Sequence, residues 1–347
     1  MLSKRLGEPA LADSADIDVP AARGGSYRLE RFASSGGIFV VLVVFVLIAF
    51  ALNSRFLDPA NVRIIVQTAT PIAVIAIGQA FVLFVGEIDL SVGSTVALCA
   101  AVLATFMGNN DALLVPVVVV ALVLGALVGA LNGGLVAFLG IPSFIATLGT
   151  LLAVSGGTLV WTQGAPSSDF APSFDLVAHA GVGPVPVATL IWLVGTAVIA
   201  WVLAHKSTWG RRLMLVGSNK TAGHFAGLRV KRTTFWAYVL SGVFAAATAV
   251  YVTSYVGSAQ TQIGAGRELE SIVACVLGGI SLFGGRGNVL SVFGAALLLG
   301  GLFNFLLLQG VPIQKEVIMG VVVIVAVLAY SKDTGRLARS VATMRRR

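Results

Sequence analysis

Charge is what this sequence has least of. Lys, Arg, Asp and Glu together make up 11% of its 347 residues, whereas a soluble domain carries roughly 25%. So few charges cannot cover a globular surface in water. That excludes a soluble enzyme, and the high apolar content excludes a disordered chain. Only two cysteines occur, Cys99 and Cys275, far apart and each in an apolar stretch. A disulfide-stapled secreted module is excluded, and both read as small core residues. The three histidines, His179, His205 and His224, show no metal-ligand spacing. There is no His-Glu metal pair, no nucleophile elbow and no carboxylate pair on a soluble domain. Nothing here supports catalysis.

What is present is apolar. Hydrophobic residues reach 57%, with 40 glycines, and mean hydropathy is +0.95. This is the composition of an all-α polytopic membrane protein, in which lipid replaces water around the apolar faces. The length accommodates about ten spans at ~20 residues each. A net charge of +8 raises nucleic acid as a partner. The positive charges cluster between apolar runs, so the reading is topological, with no nucleic acid.

Residues 1–35 are polar and mixed in charge, and read as a cytoplasmic N-terminal tail rather than a cleavable signal peptide. Apolar runs follow at 36–52, 62–85 (interrupted by Pro71), about 91–107, 112–139, 143–162, 185–204, 234–256, about 269–283, 289–309 and 316–330. The eighth is short and glycine-rich, which also fits a re-entrant or broken helix. The transmembrane domain is thus 36–330, and 331–347 is a basic cytoplasmic C-terminal tail. Segment 205–233 carries Lys206, Arg211, Arg212, Lys220, Arg229, Lys231 and Arg232 with no acid, while loop 163–184 has no Lys or Arg. Six runs precede the basic segment and four follow it. Both numbers are even, so both termini and this segment fall on one side, the cytoplasm under the positive-inside rule.

Residues 86–94, Gly-Glu-Ile-Asp-Leu-Ser-Val-Gly-Ser, put two carboxylates between two apolar runs. Ionisable groups near membrane depth usually line a cavity or pair with a partner, and broken helices are common around transport pathways. A short cytoplasmic turn with Asp89 capping the next helix fits equally well. In the basic loop, Ser218-Asn219 is a helix N-cap signal and Gly227 a stop signal. Between them Ala222, Phe225 and Ala226 share one face. Such a helix either docks a soluble partner or lies on anionic membrane lipids. Gly217-Ser218-Asn219-Lys220-Thr221 lacks the order of a nucleotide loop, so any energy from ATP comes from another chain. A third feature joins Glu268-Leu269-Glu270-Ser271 to a glycine run that includes Gly278, Gly279, Gly284, Gly285, Arg286 and Gly287. On its own it reads as a structural turn. The polar residues Gln67, Gln79, Asn132, Thr147 and Asn304 stand isolated inside runs, each able to bind a solute hydroxyl or a neighbouring helix.

Together these residues resemble the permease subunits of bacterial ATP-binding-cassette sugar importers, the ribose/xylose/arabinose/galactoside branch, from about residue 60 to 330. Residues 86–93 look like that family's Gly-Gly-Ile-Asp-Leu-Ser-Val-Gly signature. Pro142, Phe144, Ile145, Ala146, Thr147, Leu148 and Gly149 look like its Pro-x-Phe-Ile-Ala-Thr-Leu-Gly run. Gly210-Arg211-Arg212, Gly217, Asn219 and Ala226-Gly227-Leu228 resemble its cytoplasmic loop, and Leu277 to Gly287 its glycine-rich run. Glu87 departs from the family's commoner second glycine, and Gly223 stands where the family often has alanine. The resemblance implies a bacterial inner-membrane location and a second permease chain. It also implies a cytoplasmic ATPase, an external sugar-binding protein and no cofactor on this chain. Asn219, Ala222, Phe225, Ala226 and Gly227 would form the helix that docks the ATPase. Glu87, Asp89, Ser91, Asn132, Thr147 and Asn304 are the candidates for the pathway of a ribose- or xylose-like monosaccharide. A secondary transporter using Glu87 and Asp89 as ion sites is the competing reading.

Overall fold

A computed structural model describes residues 37–311, 317 and 319–321. The tails and most of the tenth apolar run lie outside them. Every helix described follows an apolar run or a capping signal. We label them α1 (Gly37–Leu52), α2 (Pro59–Phe84), α3 (Val92–Met107), α4 (Asp111–Ala137), α5 (Ser143–Thr162), α6 (Val187–Trp201), α7 (Thr208–Ser218), α8 (Lys220–Phe225), α9 (Val230–Val256), α10 (Arg267–Leu277) and α11 (Val289–Leu308). A π turn, Val202–Lys206, extends α6. Asn110, Asn219 and Asn288 each cap the helix that follows, their side-chain oxygens accepting a first-turn N–H.

Six of these helices, α6 counted with its π turn, are long and apolar enough to cross a membrane. Two more, α1 and α3, are apolar but 16 residues long. The eighth run gives only the 11-residue α10. At 1.5 Å per residue it is about 16 Å long, roughly half the hydrocarbon thickness.

α2 and α9 lie at the centre. Pro71 does not interrupt α2, which is continuous through it. Proline deprives the Gln67 carbonyl of its helical N–H, and the Tyr251 hydroxyl of α9 donates to that carbonyl instead, at 3.4 Å. α9 crosses α4 in backbone contact: a Cβ on Gly125 would overlap Gly242, and one on Gly242 would overlap Gly125. The outer faces of α1, α4, α5 and α6 expose large apolar side chains such as Leu47, Leu127, Leu152 and Ile191, as lipid-facing helices do.

The two ends of the bundle differ. At one end α7 and α8 carry the basic residues. At the other, loop 163–186 is tied down by the Ser167–Ala259 bridge and by Ser173, which donates to Asp111 Oδ1. The 27-residue α9 runs between them, so the ends stand about 40 Å apart.

Candidate functional site

Three separate sequence segments meet beneath α8. The first is the break between α2 and α3, residues 85–91. The second is the C-terminal end of α7, and the third is the glycine turn that follows α10. Their meeting is a backbone junction. Gly285 N–H donates to the Phe84 carbonyl at 3.0 Å. A Cβ on Gly217 would overlap that same carbonyl, so only glycine lets α7 approach so closely. Gly284 lies against Gly86 and the Gly217 carbonyl, and Gly278 against Val292 of α11. Gly279, Gly284, Gly285 and Gly287 all have positive φ, and the Arg286 carbonyl accepts from Ser281 N–H at 3.1 Å.

α8 sits on this junction. Asn219 Oδ1 accepts from Ala222 N–H at 2.9 Å. Gly227 ends the helix at φ 75°, and Leu228 N–H closes back on the Gly223 carbonyl at 3.0 Å. Gly223 faces inward and is buried, whereas Ala222, Phe225 and Ala226 face out. Phe225 is 85% exposed, and Phe283, in the adjoining glycine turn, is 91% exposed. Arg211, Arg212, Arg229, Lys231 and Arg232 are also exposed. The surface is cationic with aromatic tips, and the sequence pattern did not mark Phe283.

The two carboxylates of the break go opposite ways. Glu87 forms an ion pair with Lys220, the first residue of α8. Asp89 turns inward and is 1% exposed. Its Oδ1 accepts from Ser91 N–H (2.9 Å) and Ser91 Oγ (2.7 Å), and its Oδ2 from Ser241 Oγ of α9 (2.9 Å). Asn132 of α4 donates to Ser91 Oγ at 2.7 Å and accepts from Thr150 Oγ1 of α5 at 2.6 Å. The Gln79 amide of α2, oriented to satisfy both its groups, donates to the Asp89 carbonyl (2.9 Å) and accepts from its N–H (3.2 Å). Tyr238 donates to the Ile88 carbonyl at 3.1 Å. The break therefore has partners from α2, α4, α9 and, through Thr150, α5, and none of its buried side-chain polar atoms lacks a hydrogen bond.

Of the six pathway candidates, Asp89, Ser91 and Asn132 share this network. Thr147 is buried one turn before Thr150 and donates to its own helix at the Ser143 carbonyl, 2.8 Å away. Asn304 stands apart: it exchanges two hydrogen bonds with Asn61, at 2.9 and 3.0 Å, tying α11 to α2. Ser241, Gln79, Thr150 and Tyr238 complete the network. They carry no local sequence signal beyond being polar residues in apolar runs.

A cavity of about 170 Å³ lies towards the other end of α3. Its floor is Ala97, Ala101 and Ala104, and Thr105, Thr162, Ser167, Gln260 and Thr261 surround it. Its lining carries hydroxyl and amide groups and no charge. Among the described residues no group of His, Cys, Asp and Glu is placed to hold a metal ion.

Comparison with known proteins adds to this geometry. Residues 61–327 match the family described as branched-chain amino acid transport system / permease component. The ribose import permease protein RbsC of Escherichia coli (strain K12) is 37% identical over 313 residues, 89% of this chain and 97% of that protein. RbsC of Bacillus subtilis (strain 168) is 36% identical over 308 residues, 86% of this chain and 93% of that protein. The autoinducer 2 import system permease protein LsrC of Enterobacter sp. (strain 638) is 36% identical over 309 residues, 86% of each chain. No solved structure matches.

Proposed function

The chain belongs to this family of permease components, and from that premise we propose that it builds the translocation pathway for a ribose- or xylose-like monosaccharide. It is a permease subunit of a bacterial ATP-binding-cassette sugar importer, a multi-pass inner-membrane protein and not itself an enzyme. ATP is hydrolysed by a separate ATPase subunit, and a periplasmic binding protein supplies the solute. The observation that carries the sugar assignment is identity of 37% and 36% across 97% and 93% of two ribose permeases. The uncharged lining of the α3 cavity is in keeping with a neutral polyhydroxylated solute and offers no counter-ion to a zwitterion.

In this reading the chain crosses the membrane about ten times, both termini are cytoplasmic, and the short α10 forms only part of the eighth crossing. The chain binds no cofactor of its own. The outward face of α8 (Ala222, Phe225, Ala226) docks in the ATPase, held in register by Asn219 and Gly227. ATP binding closes the ATPases, α8 moves with them, and the pathway switches from inward- to outward-facing. The coupling exists because nucleotide and solute prefer different conformations. A second copy of the chain completes the pathway. What supports this is α5, whose exposed face carries Gly149, Gly156 and Gly157 with no atom of the described residues within 4 Å of the Cβ each lacks. Small-residue faces of this kind pack helices closely in membranes.

The test is reconstitution. Gentle-detergent purification should bring down the ATPase, and proteoliposomes should take up ribose only with ATPase, ATP and binding protein together. Phe225→Asp should weaken ATPase association and uptake while the permease stays folded. Uptake by the chain alone that an uncoupler abolishes would overturn the importer reading.

A further inference from the structure

The ion pair between Glu87 and Lys220 joins the docking helix to the buried network at the break. Glu87 is two residues from Asp89. Its side chain is 15% exposed, and that of Lys220 46%. Lys220 is the first residue of α8, directly after the Asn219 cap, so its position follows that of the helix. On the other side, residues 88–91 are held by Tyr238, Ser241, Gln79 and, through Ser91, Asn132. A displacement of α8 therefore pulls or releases Glu87 directly. The backbone of Glu87 is itself anchored to α2, its N–H donating to the Val82 carbonyl at 3.2 Å.

We propose that Glu87 and Lys220 are positioning residues for coupling: the pair transmits the movement of α8 to the α2–α3 break, and so raises the solute moved per ATP hydrolysed. The proposal rests on the reading of α8 as the ATPase-docking helix. In the permease signature that residues 86–93 resemble, glycine is the commoner residue at position 87, and the pair departs from it. It tightens coupling rather than creating it, and its loss lowers transport without abolishing it. The carboxylate and ammonium are partly shielded from water, which keeps their attraction above that of a fully exposed pair.

The experiment uses the full transporter, permease with ATPase and binding protein, in proteoliposomes. Ribose uptake and ATP hydrolysis are measured together. Glu87→Gln and Lys220→Gln should each lower the uptake-to-hydrolysis ratio about fivefold. ATPase co-purification should be unchanged. The reversed pair, Glu87→Lys with Lys220→Glu, should restore at least half of the ratio, which no purely structural role of either residue predicts. Glu87→Gly should match Glu87→Gln and serves as the variant the fold tolerates. Single variants with the wild-type ratio, or a reversed pair no better than the singles, would overturn the proposal. Wild-type uptake that needs no ATPase would instead defeat the importer reading on which it rests.

Discussion

Replacing Asp89 separates a structural role for the break from a direct role in transport. Three donors converge on its carboxylate: Ser91 N–H, Ser91 Oγ and Ser241 Oγ. In Asp89→Ala, Ser91 Oγ still accepts from Asn132, but all three donors, Ser91 N–H and the Ser91 and Ser241 hydroxyls, lose the acceptor the structure gives them. Each orphaned buried donor costs ~1–3 kcal/mol. The two hydroxyls can rotate to recover part of this, so the total is about 3–5 kcal/mol, the cost of breaking one side of a buried polar contact. Asp89→Asn keeps the Oδ1 acceptor for both Ser91 groups. Its new amide faces a serine hydroxyl that can turn to accept, so the cost falls to about 1 kcal/mol. At roughly 2–4 °C per kcal/mol, the alanine variant should lose about 10 °C of apparent midpoint in detergent and the asparagine variant only a few degrees. Thermal size-exclusion or intrinsic fluorescence reads both. Uptake per folded molecule should survive largely intact in Asp89→Asn. An Asp89→Asn protein as stable as the wild type but unable to transport would refute this reasoning. The negative charge itself would then act on the solute or on a coupling ion.

Other substitutions test the remaining parts. Gly217→Ala places a methyl on the Phe84 carbonyl and beside Gly285; expression of folded protein should drop sharply, measured by fluorescence size-exclusion. Gly223→Ala meets only ordinary contacts with Val216, Leu228 and Val230, and should stabilise α8 by ~0.5–1 kcal/mol, read as slower amide exchange there. Gly156→Cys should give an oxidant-dependent dimer in membranes, because Cys99 and Cys275 are buried and contribute no background. Val120→Cys on the lipid-facing side of α4 should give none.

Much of the helix order was legible because apolar runs and capping residues are local signals. The run 143–162 and α5 share their bounds, and Asn219 and Gly227 delimit α8 as their chemistry requires. Pro71 misled because its remedy is remote: the hydroxyl that takes up the free carbonyl belongs to Tyr251, 184 residues on. The same distance hid the partners of Asp89. Ser241 lies 152 residues away, and nothing in a serine within an apolar run distinguishes a partner from a bystander. Glu87 and Asp89 looked alike as neighbouring carboxylates, yet the chain direction at a broken helix sends one to the surface and the other inward. Asn304 and Asn132 looked alike as lone amides, and one ties two helices while the other sits in the network at the break.

Glycine shows the same limit from the opposite side. At Gly125, Gly129 and Gly133 of α4, and on α7 and α9, the absent side chain is answered by another backbone, as at Gly125 against Gly242 or Gly217 against Phe84. On α5, Gly149, Gly156 and Gly157 face nothing among the described residues. Close backbone approach is the use that repays glycine's entropic cost in a helix. A face with several such positions and no neighbour among the described residues is what the proposed second copy would cover. The break at 85–91 is the converse case: irregular backbone deep in an apolar bundle survives only when its polar groups are met. Here its carboxylate and backbone are met by side chains from several helices, so the segment is a fixed bend, attached outward at Glu87 and at the glycine junction. In the proposed coupling, motion delivered to α8 would reach the interior at this bend between α2 and α3.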